Sequence, residues 1–119
     1  MANVLIVDDS RTSRKMLTTI LEDAGHTIVG EAKNGQEGVD LYKELSPDIV
    51  TMDITMPILD GLEALKQIMA YDVNARVVMV TAAGQQTKMV EAVKIGASEF
   101  LQKPFDQDMI LAVISSVLR

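Results

Sequence analysis

The chain has 119 residues, 48% hydrophobic and 24% charged, a balance that describes one folded domain spanning residues 1–119 and excludes a disordered chain. Eleven basic residues against 17 acidic ones give a net charge of -6, which argues against nucleic-acid binding, since that depends on Lys and Arg neutralising phosphates. There is no cysteine, so disulfide, thiolate and cysteine–zinc chemistry are excluded as well.

The first apolar run, Val4-Leu5-Ile6-Val7, closes on Asp8-Asp9. It has neither the basic flank nor the long apolar core of a signal peptide. No stretch approaches the roughly 18 apolar residues of a membrane span, so a cytoplasmic protein without membrane insertion is expected. From Arg11 to Ala24, the residues Met16, Leu17, Ile20, Leu21 and Ala24 recur at helical spacing until Gly25 stops the helix. A short strand around Ile28 and Val29 precedes a helix with Asn34 as N-cap, Glu37 three residues on, and Val39, Tyr42 and Leu45 on its apolar face. Ser46-Pro47-Asp48 ends that helix, and the run Ile49 to Met52 closes on Asp53. After Met56-Pro57, Asp60 and Glu63 make a second capping pair for a helix carrying Leu62, Leu65, Ile68 and Met69. Arg76 to Thr81 reads as the fourth strand, and about Gln85 to Ile95 as a helix stopped by Gly96. About Ser98 to Gln102 reads as the fifth strand, closing on Lys103-Pro104. A last helix sets Met109, Ile110, Val113, Ile114 and Val117 on one face. The eight methionines read as core filling, with Met89 a candidate for exposure at a binding face. His26 falls at the edge away from the acidic residues.

Five βα units in alternation predict an α/β fold: a doubly wound, five-stranded parallel sheet with right-handed crossovers. Residues 4–7, 49–52 and 77–80 form continuous apolar or near-apolar runs, the pattern of strands covered on both faces. In such a sheet the carboxyl ends of the strands share one edge. Asp8, Asp9, Asp53, Thr81 and Lys103 therefore converge on one crevice.

Three carboxylates about 5 Å apart repel by roughly 3 kcal/mol per pair at an effective dielectric near 20, more than one lysine offsets. Either a carboxyl pKa rises or a divalent cation binds. Oxygen donors without His or Cys select Mg²⁺, Mn²⁺ or Ca²⁺ over zinc, and Mg²⁺ suits best because it keeps several waters and takes few carboxylates. A carboxylate beside Mg²⁺, with an ammonium and a hydroxyl, is equipped to accept a phosphoryl group. Asp53 is the candidate nucleophile, Lys103 the stabiliser of the transferring oxygens and Thr81 a hydrogen-bond donor to the new group.

The ordered motifs Val7-Asp8-Asp9, Met52-Asp53-Ile54-Thr55-Met56-Pro57, Asp60-Gly61, Thr81-Ala82, Gly96-Ala97 and Lys103-Pro104-Phe105 cover essentially the whole chain. In this combination the chain resembles the receiver domains of bacterial response regulators, most of all the stand-alone CheY-like regulators of chemotaxis. The resemblance implies a flavodoxin-like strand order, 2-1-3-4-5, flanked by five helices. It implies that Asp53 is phosphorylated by a histidine kinase, of the chemotaxis CheA type, or by a small acyl phosphate donor. Asp9, Asp53 and the backbone carbonyl of Thr55 would coordinate Mg²⁺ directly, and Asp8 mainly through water. Lys103 would contact the phosphoryl group, and the peptide before Pro104 would be cis. Thr81 and Phe100 would form the switch pair: Thr81 moves toward the phosphoryl group, and Phe100, where the family often has Tyr, turns inward behind it. Thr55 and Ala83 match two positions that tune phosphoryl lifetime in the family. The face of the fourth helix, fifth strand and fifth helix would control a downstream protein such as a flagellar motor switch component, with a phosphatase as a further partner. Such a two-component regulator is not an enzyme in the ordinary sense, its chemistry being confined to its own phosphorylation and dephosphorylation.

Plainer and rival readings weigh less. Asp8-Asp9 as a mere helix cap does not account for Asp53 and Lys103 at matching strand ends. A Mg²⁺-dependent aspartyl phosphatase of the haloacid dehalogenase kind needs a second Asp where Thr55 stands. An interaction module that kept the fold without phosphorylation has no need of the intact set of site residues. A flavin carrier wants a phosphate-binding loop after the first strand, where Asp8-Asp9 would repel the phosphate. A receiver cut from a longer regulator is a further alternative.

Overall fold

The computed structural model describes residues 1–119. Ten elements alternate: β1 (Asn3–Val7), α1 (Arg11–Asp23), β2 (Thr27–Ala32), α2 (Gly35–Leu45), β3 (Ile49–Asp53), α3 (Gly61–Tyr71), β4 (Val77–Thr81), α4 (Gln86–Ile95), β5 (Glu99–Gln102) and α5 (Gln107–Leu118). The strands form one parallel sheet in the order β2-β1-β3-β4-β5. Fold class and strand order are as expected from the sequence.

Strand alternation divides the interior into two layers. Leu5, Val7, Val50, Met52, Val77 and Met79 face α2, α3 and α4, where they meet Val39, Tyr42, Leu62, Leu65, Ile68 and Ala92. Val4, Ile6, Ile49 and Val78 face the other way, against Leu17 and Leu21 of α1 and Ile110 and Ile114 of α5. The central strands are apolar on successive residues because both of their faces are covered.

The capping signals at α2 and α3 are as the spacing predicts. The Asn34 side chain accepts from Glu37 N at 2.9 Å, and Asp60 Oδ1 from Glu63 N at 3.0 Å. At α1 the cap is Ser10, which accepts from Ser13 N at 3.2 Å, while Asp8 Oδ1 accepts from Ser10 N at 2.8 Å. Both of these caps leave Asp9 free for the crevice. The expected helical face of α1 needs correction: Met16 is 40% exposed, and Ala24 is the C-cap rather than a helical residue. Met109 of α5 is likewise 43% exposed. Leucine and isoleucine have taken the inward positions, and of the eight methionines only Met52, Met56 and Met79 are buried. Met89 is half-buried. The second strand is longer than its short apolar run and, as an edge strand, is mostly half-buried. His26 accepts from Ala2 N at 3.2 Å through Nδ1, a structural role.

Candidate functional site

Four strand ends build the crevice. Asp8 follows the last residue of β1, Asp53 ends β3, Thr81 ends β4 and Lys103 follows β5. Register holds them together: Val7 pairs with Met52, Asp53 with Val80 and Thr81 with Gln102. A 2.7 Å hydrogen bond from Lys103 N to Thr81 O fixes the start of the loop after β5. The Lys103–Pro104 peptide is cis. Gly61 explains the Asp60-Gly61 pair: a Cβ there would stand 2.8 Å from Ile54 Cα and collide with the Asp53 carbonyl oxygen. The turn into α3 packs directly on the backbone that carries Asp53, and only glycine allows that approach.

Asp8, Asp9 and Asp53 each offer a carboxylate oxygen, all within 4.8 Å of one another. Asp8 and Asp53 are buried, and Asp9 is exposed at the mouth. Lys103 Nζ lies 3.6 Å from Asp53 Oδ2 and 3.8 Å from Asp8 Oδ2, one ammonium for three carboxylates. Burial raises the Asp53 pKa from 3.8 to about 6, with Asp8 and Asp9 adding to the rise and Lys103 opposing it. Asp8 Oδ2 is buried without a hydrogen-bond partner. An unsatisfied carboxylate oxygen among like charges is costly, and a hard divalent cation relieves both problems at once. The donor set thus fits a cation of the Mg²⁺ class.

The remaining predicted residues surround this cluster. Thr81 is fully buried and its Oγ1 has no partner. Met79 pairs with Phe100, and strand alternation sets Thr81 on the same side as Met79, so Thr81 and Phe100 share the α4 side of the sheet. Phe100 is half-buried against the larger core layer. Thr55 is exposed, and its hydroxyl accepts from Gln85 Nε2 at 2.8 Å. Two participants carry no motif and were missed by sequence reasoning. Arg14 donates from Nη1 to the Asp8 carbonyl at 2.6 Å and pairs with Glu31 at 3.4 Å, holding the Asp8–Asp9 peptide from α1. Gln85 is the other. An i,i+6 cation and a half-buried glutamine have no spacing signature that singles them out.

A doubly wound sheet with an acidic cluster and a lysine at its carboxyl edge is the architecture of a phosphoacceptor module. Residues 4–115 match the family model of the response regulator receiver domain, and the chain belongs to that family. It is 49% identical to the chemotaxis protein CheY of Thermotoga maritima, over 96% of this chain and 95% of that one. It is 46% identical to protein CcdB of Bacillus subtilis, over 99% and 98%. Among solved structures, the CheX–CheY–BeF3–Mg²⁺ complex from Borrelia burgdorferi aligns with a TM-score of 0.94 and 43% identity, covering 98% of this chain and 89% of that one. The chain is thus a receiver of a two-component system.

Proposed function

We propose that the whole chain, residues 1–119, is a chemotaxis signalling switch whose phosphoacceptor is Asp53. The observation that carries this reading is the buried Asp53 carboxylate, flanked by Asp8 and Asp9 within 4.8 Å and by Lys103 at 3.6 Å. In the transfer, an Asp53 oxygen forms a bond to phosphorus as the bond to a histidine nitrogen of the kinase, or to the acyl oxygen of a small donor, breaks. The leaving atom keeps the electron pair. Burial raises the Asp53 pKa to about 6, still below neutral pH, so the carboxylate form that attacks predominates. Lys103 pairs with a phosphoryl oxygen, and the unpartnered Thr81 hydroxyl turns to donate to another. Asp9, Asp53 and the Thr55 carbonyl would hold Mg²⁺, with Asp8 acting mainly through water, and a bound cation would neutralise charge on the transferring oxygens. The relative solved with BeF3 and Mg²⁺ supports this choice of ion.

Movement of Thr81 leaves space that Phe100 fills, and the face of α4, β5 and α5 changes for a protein partner. The CheY relatives support a CheA-type histidine kinase upstream and a motility component such as the flagellar motor switch downstream. The CheX-bound relative supports a further protein that engages the receiver, in the place of the expected phosphatase. The chemistry is self-directed, with no turnover of an external substrate beyond the phosphoryl donor. No helix is long and apolar enough to cross a membrane, and the proposed location is the cytoplasm. Incubation with acetyl phosphate and Mg²⁺ should add one phosphoryl mass to the intact protein and none to Asp53→Asn. Equal labelling of both proteins would refute the assignment.

A further inference from the structure

Four of the five helices begin on a side chain that accepts from the backbone three residues ahead. Ser10 accepts from Ser13 at 3.2 Å, Asn34 from Glu37 at 2.9 Å, Asp60 from Glu63 at 3.0 Å and Asp106 from Met109 at 2.9 Å. Helix α4 is different. Gln85 occupies its N-cap and makes no such bond. Its side chain turns back, with Oε1 accepting from Ala82 N at 2.6 Å and Nε2 donating to Thr55 Oγ1 at 2.8 Å. One amide therefore closes the turn after β4 and ties it to the loop after β3. Its two anchors lie one residue past Thr81 and two past Asp53.

Burial anchors α4 only lightly. Ala92 is its one buried residue, and Val90 and Val93 are 55% and 58% exposed. Ala82, Ala83 and Gly84 are exposed, and nothing lies within 4 Å of where a Gly84 Cβ would stand.

We propose that Gln85 is a positioning residue, a latch that holds the start of α4 in its unphosphorylated arrangement; this rests on the reading of Asp53 as phosphoacceptor. Ala82 follows Thr81, so a shift of the Thr81 backbone toward a phosphoryl group displaces the Ala82 N–H from Gln85 Oε1. Once that bond is lost, Gln85 no longer spans to Thr55, and the first turn of α4 is released without a cap of its own. Coupling is reciprocal: if phosphorylation opens the latch, opening the latch favours phosphorylation. A net hydrogen bond shifts an equilibrium by about two- to tenfold, which sets the expected size of the effect.

The test compares wild type with Gln85→Met, which keeps the length and removes both bonds, with Thr55→Val, which removes the hydroxyl and keeps the carbonyl, and with the double variant. In the unphosphorylated proteins, amide hydrogen exchange in the first turn of α4 should quicken about two- to tenfold in each single variant. The double variant should add nothing to Gln85→Met, because both changes break one bridge. Labelling of Asp53 by acetyl phosphate and Mg²⁺ should rise by a similar factor. Unchanged exchange, or additive effects in the double variant, overturns the latch. Faster exchange with unchanged or slower labelling overturns its coupling to the site. A wild type that takes up no phosphoryl group overturns the Asp53 reading and with it the latch's signalling role; exchange, measured without phosphorylation, separates that failure from the others.

Discussion

Asp53 sits where its own charge is disfavoured, and this gives the metal-free protein a distinctive pH response. Its carboxyl titrates at about 6 against an ordinary 3.8, so folding takes up a proton between those values. The stabilisation this brings is whole below about pH 4 and is lost as pH rises through 6. Without divalent cations at pH 7.5, Asp53→Asn should therefore melt above wild type. The open mouth of the crevice screens the charges, and about 1 kcal/mol is expected, or roughly 3–5 °C. The gap should narrow at pH 5 and in millimolar Mg²⁺; thermal melts across pH with and without EDTA check this, and a gap independent of pH would count against it. Ile58 carries a separate cost. It is β-branched, 83% exposed and held at φ 69° in the loop between β3 and α3. The left-handed region costs such a residue about 1–2 kcal/mol. Ile58→Gly should raise the melting temperature by a few degrees, and a lower one would show that the exposed side chain contributes to the fold.

At the level of elements, side-chain links between helices are few and specific. Tyr42 of α2 donates from its hydroxyl to Asp72 Oδ2, at the C-cap of α3, at 2.8 Å. Burial first, then the bond and charge of Asp72, push the Tyr42 pKa well above its usual 10. The folded protein keeps this proton after the unfolded chain has lost it. The stabilisation is whole below about pH 10 and declines as pH rises further. Tyr42→Phe should lose about 1 kcal/mol at pH 7 and show a flatter decline in denaturant midpoint between about pH 10 and 12. An equally steep decline would assign it to other groups. Element by element, the sequence was most readable where one residue type has one use. Asn34 and Asp60 cap helices, and Gly25 and Gly96 end them at φ 95° and 126°. It was least readable where residue types are interchangeable. Met16 and Met109 fit a helical stripe, yet the inward places went to Leu17, Leu21, Ile110 and Ile114.

For the whole molecule, the parallel sheet was legible because apolar runs ending in Asp8, Asp53 and Thr81 alternate with amphipathic segments, and parallel strands put those ends together. The acidic cluster with its lysine follows from that topology alone. Arg14 and Gln85 do not, since their work depends on where a flexible polar side chain lands after the backbone is built. The sheet also separates two populations of residues. Thr81 and Phe100 share the side covered by α2, α3 and α4, while the packing of α1 and α5 lies beneath the opposite side. Substitutions among Leu17, Leu21, Ile110 and Ile114 therefore reach Thr81 and Phe100 only through the sheet, while those in the α2, α3 and α4 layer touch the proposed switch pair directly. The buried faces of α1 and α5 are thus free to drift without touching the proposed switch pair, while the outer face of α5 stays tied to the proposed output surface.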